Sequence, residues 1–151
     1  MDDAEDCISK VVELAAPVSR VWRALTDHVE FGHWFRVKLD GPFRPGEITR
    51  GRITYPGYEG VAWAAKVERM DRERLFAFSW HPFDVDATID VSAEPTTLVE
   101  FRLEPIATGT RLTITESGFA ALTDPRRLEA LRSNRKGWDI QAGNIAQHVT
   151  A

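Results

Sequence analysis

Cysteine is all but absent: the single Cys7 excludes an internal disulfide and fits a reducing compartment. No stretch approaches the roughly 20 consecutive apolar residues of a membrane-spanning helix. The opening MDDAEDCISK is acidic where a secretory signal would be basic and then apolar. A basic excess is missing as well. The net charge of −4 at pH 7 argues against nucleic acid or an anionic membrane surface as partner. These absences predict a cytoplasmic chain with no stable membrane insertion. Metal-ligand spacing is lacking too: His28, His33, His81 and His148 form no HxH or HxxxH pair, and Cys7 is isolated. TESGF is not a GxSxG nucleophile elbow, because no glycine stands two places before Ser117. GPFRPG has neither the spacing nor the lysine of a phosphate-binding loop. Neither a metal nor a cofactor is expected.

What is present is the material of one domain. The 151 residues are 43% hydrophobic and 28% charged, ordinary proportions for a globular protein long enough to bury a core. A single domain over 1–151 is expected, with a loosely ordered terminus over 1–7. CISKVVELAAP starts a strand with Ile8, Lys10, Val12 and Leu14 on one face. Pro17 suits the first position of a helix in which Val18, Val21, Trp22 and Leu25 form an apolar stripe. TDH at 26–28 can cap a second short helix, VEFGHWF, which Gly32 weakens. GPFRPG over 41–46 is turn chemistry.

From Glu47 to Glu116 the signal is strands and turns. Val61, Trp63, Ala65 and Val67 share one face, with Lys66 and Glu68 on the other. Phe76, Phe78 and Trp80 share a face whose opposite is also fairly apolar. Val99, Phe101 and Leu103 alternate more cleanly with Glu100, Arg102 and Glu104. Leu112 and Ile114 repeat the pattern after a hairpin turn at IATGT, while 81–95 reads as a long loop. Asp124 and Pro125 open a last helix. On it Leu131, Asn134, Trp138, Ala142, Ile145 and Val149 fall on one stripe. Strand, two helices, a run of antiparallel strands and a long helix make an α+β fold, with a curved sheet covered on one face by the last helix.

The ordered set APVSRVWRALTD, FGHWF, GPFRPGEITRGRI, TTLVEFRLE, GTRLTITESGF and NRKGW resembles the bacterial relatives of the Hsp90 ATPase activator C-terminal domain, within the START/Bet v 1-like (SRPBCC) superfamily. The resemblance covers residues 8–149. It implies a helix-grip fold, with a curved antiparallel β-sheet wrapped around the long C-terminal helix and two short helices after the first strand. It also implies an apolar cavity for a lipid-like, aromatic or polyketide-like molecule. In such a fold Gly137 would let the helix approach the sheet or bend beside Trp138. The simpler alternative is that Gly137 separates two shorter helices and Trp138 is core.

The aromatic set Trp34, Phe43, Trp63, Phe78, Trp80, Phe101 and Trp138 is expected to face inward or toward the cavity mouth. Each taken singly is as well explained by an ordinary core. The alternation Leu112, Ile114, Glu116 turns a carboxylate inward, a candidate general acid or base if its surroundings are apolar. The competing reading is a strand-end glutamate bonded to backbone amides or to an arginine, or rotated outward. Asn134 could meet a ligand or satisfy a helix-end carbonyl. His81 is expected at a strand end near the mouth, in a ligand-binding or a structural role. The expected function is sequestration of a small hydrophobic molecule. The alternatives are a cyclase, hydratase or isomerase using Glu116, and a co-chaperone of an Hsp90-type ATPase. The last is disfavoured because the chain leaves no room for the eukaryotic activators' additional domain. A homodimer is left open.

Overall fold

The computed structural model describes residues 6–82, 95–122 and 126–150. Most of the expected loop over 81–95, and the Asp124–Pro125 helix start, lie outside the described residues. The fold is α+β: a seven-stranded, curved antiparallel sheet with a long C-terminal helix and two short helices after the first strand.

The first strand, β1 (Cys7–Leu14), buries Ile8 and Leu14 and half-buries Lys10 and Val12 between them, the face that the alternation assigned inward. Cys7, placed by sequence in a loose terminus, instead pairs with Ser117, because β1 lies along the whole of the last strand. Helix α1 (Val18–Thr26) is preceded by Pro17 in an extended conformation, so this proline is the cap position and not the first helical residue. Asp27 caps α2 (His28–Phe35), its carboxylate accepting from the Val29 and Glu30 amides.

Gly32 has a positive role in α2. A Cβ there would stand 2.3 Å from the Val37 carbonyl oxygen, because the chain turns back at Arg36, a left-handed cap whose N–H bonds the Gly32 carbonyl. That turn delivers the three-residue strand β2 (Val37–Leu39), too short to be read from sequence.

Then follow β3 (Ile48–Ile53), β4 (Ala62–Asp71), β5 (Leu75–Trp80), β6 (Thr97–Ile106) and β7 (Gly109–Ser117). The spatial order is β1-β7-β6-β5-β4-β3-β2, so β1 and β2 are the edges. The IATGT turn is a tight hairpin in which Ile106 pairs with Gly109. The inward faces are those the alternation assigned: Trp63, Ala65 and Val67, then Phe76 and Phe78, then Val99, Phe101 and Leu103, then Leu112 and Ile114, all buried. Their burial is what commits the register, because a one-residue slip would turn every one of them to water.

Helix α3 (Arg126–Thr150) runs without interruption and buries Leu131, Trp138, Ile145 and Val149. The close approach and the divided helix expected of Gly137 are corrected here, while Trp138 is core, as the second reading had it. The helix is not divided, and a Cβ at Gly137 or Gly143 would meet nothing within 4 Å. Neither glycine permits a close approach; the stripe beside them makes the contact with the sheet. Lys10 on β1 reaches Asp139 on α3 at 2.7 Å, fixing the helix over the first strand.

Candidate functional site: an aromatic interior around Glu116

Three adjacent strands bring polar atoms to one point on the inward face. In register, Trp80 pairs with Thr97, and the neighbouring row is Phe78, Val99 and Glu116. Asn134 and Trp138 are four residues apart on α3 and so lie on its same side, above that point.

Glu116 is completely buried. Its Oε2 accepts from Trp80 Nε1 at 2.8 Å and from Thr97 Oγ1 at 2.6 Å. Its Oε1 accepts from Trp138 Nε1 at 2.8 Å, and Asn134 Nδ2 lies 3.1 Å from both oxygens. The residue faces inward, as the alternation required, but its partners are side chains from two strands and a helix. They are neither the backbone amides nor the arginine that sequence offered. Asn134 likewise serves Glu116 and no helix-end carbonyl. An indole N–H can only donate, and the two oxygens of Glu116 provide acceptors for two of them. The cluster joins sheet to helix by polar bonds inside an apolar surround, where each unmade bond would be expensive.

Around it the rings meet. Trp80 stacks on Trp138 with centroids 5.8 Å apart, and Phe101 approaches Trp138 edge-on at 5.8 Å. Phe35 contacts Trp63, Trp80 and Trp138 at 5.9, 6.1 and 6.2 Å. Phe31 joins Trp34, Phe43 and Phe78 at 5.0, 5.2 and 6.4 Å. The seven aromatic residues singled out by sequence therefore converge, and with Glu116 and Asn134 they form one neighbourhood. His81 follows directly on the end of β5 and is half-buried. Phe31 and Phe35, which bind the set together, were not singled out. The signal that could have found them is the i, i+3, i+4 spacing of Phe31, Trp34 and Phe35 on that short helix.

These rings pack on one another at contact distance. An open hollow of about 850 Å³ lies beside them between α2, β2 and the C-terminal end of α3. Trp34, Val37 and Leu39 supply apolar wall, and His28, His33 and His148 stand on its sides. The His33 and His148 rings lie 5.5 Å apart. Of the expected lining residues only Trp34 reaches this hollow. The difference is one of local geometry: β2, unseen in the sequence, sets the outer wall. Among the described residues no cluster of three or more His, Cys, Asp or Glu could hold a metal ion, and no helix is long and apolar enough to cross a membrane.

Among the described residues, one buried side-chain donor in the aromatic interior has no partner. Trp34 Nε1 donates to the Ala24 carbonyl at 2.8 Å, and Trp80 and Trp138 donate to Glu116. Trp63 Nε1 is buried and finds no acceptor among the described residues.

Three solved bacterial proteins of similar size share this architecture. One from Arthrobacter aurescens superposes with a TM-score of 0.80 at 18% identity, over 99% of this chain and 89% of its own. One from Mycobacterium smegmatis gives 0.77 at 20%, over 99% and 94%. One from Mesorhizobium loti gives 0.75 at 22%, over 95% and 96%. At such identities the likeness concerns the fold. No curated protein matches the sequence significantly. The family model described as activator of Hsp90 ATPase homolog 1-like protein matches residues 15–150, nearly the whole chain, which therefore belongs to that family.

Proposed function

We propose that the protein binds a small, largely hydrophobic molecule in the hollow between α2, β2 and the C-terminal end of α3. The observation that carries this reading is that hollow, about 850 Å³, with Trp34 of the aromatic interior as its inner wall. The volume falls in the range of ligand sites, and its lining joins the apolar wall of Val29, Trp34, Val37 and Leu39 to polar side chains, Arg36 and Lys38 among them, able to orient a guest. Burying 200 Å² of apolar ligand surface, at roughly 25 cal/mol per Å², supplies about 5 kcal/mol before association costs, so binding tighter than about millimolar draws on polar contacts and further burial as well.

An acid–base role for Glu116 is not part of the proposal. Both its oxygens are occupied by donors of the protein itself, and a second polar group free to meet a substrate atom is needed for chemistry. Titrating a panel of hydrophobic aromatics and fatty acids while following tryptophan emission tests the reading, beside native mass spectrometry of the purified protein. Saturable binding below about millimolar is expected, with Trp34→Phe changing the response. Absence of binding across the panel overturns the proposal.

A further inference from the structure

We propose that the bound molecule carries a neutral carbonyl oxygen that accepts a hydrogen bond from Trp63 Nε1; this rests on the binding reading above. An N–H buried without an acceptor is costly, and native interiors rarely keep one unless something outside the chain completes it. The contrast within this molecule is direct. The indoles of Trp34, Trp80 and Trp138 all have acceptors provided by the fold. Trp63 alone among these four is left open, 7% exposed, its ring 5.9 to 6.1 Å from those of Phe31, Phe35, Phe78 and Trp80.

The surroundings define the missing group. Four rings stand 5.9 to 6.1 Å from the Trp63 ring, so a charged acceptor brought among them would lose its hydration for one hydrogen bond, whereas a ketone or aldehyde oxygen loses little. An indole N–H cannot accept, which suits a carbonyl, an acceptor with no proton to place. The position relative to the hollow also fits. Trp63 pairs across the sheet with Gly51, and Gly51 with Leu39. The Leu39 side chain lies over Gly51, its Cδ2 3.0 Å from where a Cβ would stand, and Leu39 also lines the hollow. Leu39, which is only half-buried, thus belongs both to the wall of the hollow and to the cross-strand row that holds Trp63.

The test uses 2-acetylnaphthalene and 2-ethylnaphthalene, close in size and differing in the carbonyl, titrated calorimetrically into the wild-type protein and Trp63→Phe. The wild type should prefer the ketone by roughly ten-fold, the worth of one hydrogen bond to an otherwise unpaired buried donor. Trp63→Phe should erase that preference while holding the hydrocarbon within about two-fold. Should the variant not fold, the indole proton of Trp63 in the wild type carries the test: ketone moves its NMR signal downfield and hydrocarbon does not. Equal affinity for both compounds in the wild type, a preference that survives Trp63→Phe, or an unmoved indole signal overturns the inference and leaves the binding reading standing. Failure of both compounds to bind overturns the two together.

Discussion

Glu116 offers its two oxygens to donors on Trp80, Thr97, Asn134 and Trp138, and that arrangement sets what a substitution there must do. Glu116→Gln keeps the shape but places an NH2 where an indole N–H or the threonine hydroxyl already points. At least one buried donor then loses its acceptor, and a loss of about 2–3 kcal/mol in denaturant unfolding is expected. Trp138→Ala removes a ring packed against Phe35, Trp80 and Phe101 as well as a donor, and should cost about 3–5 kcal/mol. A change well under 1 kcal/mol in either variant would contradict the packing described. Gly32→Ala should also destabilise, by about 1–3 kcal/mol, because its methyl would drive into the Val37 carbonyl.

At the scale of elements, α3 carries two glycines that its packing does not use. Gly137→Ala and Gly143→Ala face open space in helical backbone, so each should raise stability by about 0.5–1 kcal/mol, read as a higher denaturant midpoint with unchanged slope. Unchanged or lower stability would mean that these glycines serve the helix in some other way. The three helices meet at Glu30, bonded by Arg20 and Arg23 of α1 at 2.7 and 2.8 Å and by His148 of α3 at 2.9 Å. Partial burial pushes the Glu30 carboxyl up, but the bonds from His148 and Arg20 and the charges of Arg20 and Arg23 outweigh it and hold the group below its ordinary value. A carboxyl lowered by folding contributes stability that is present above its ordinary value, near 4.5, and is lost as pH falls through the lower folded value. Glu30→Gln should therefore cost about 1 kcal/mol at neutral pH and flatten the acid limb of the stability profile below about pH 4.5. An acid limb identical to wild type would remove Glu30 from that role.

For the whole molecule, ligand binding and stability are linked. A compound that occupies the hollow in the folded protein alone should stabilise it by about 2.7 kcal/mol at a hundred times its dissociation constant. A panel compound that binds by fluorescence but leaves the unfolding midpoint unmoved must sit on the unfolded chain as well, or bind loosely at the surface.

The strands, their inward faces and the stripe of α3 were legible in the sequence because periods of two and of about 3.6 residues act locally: Val99, Phe101 and Leu103 report their face whatever the neighbour. Glu116 was legible in the same sense, as a direction. Its partners were not, since Trp80, Thr97, Asn134 and Trp138 lie 18 to 36 residues away and meet only when register and helix docking are settled together. The three residues of β2 are too few for a period to register, yet they form the wall that moves the open space from beneath Trp138 to the side of α2. Gly32 and Gly137 carry the same letter in the sequence, and local propensity penalises both alike. Only the fold brings a carbonyl within 2.3 Å of one and leaves the other facing nothing, because the distance between segments remote along the chain is a property of packing and not of any single element.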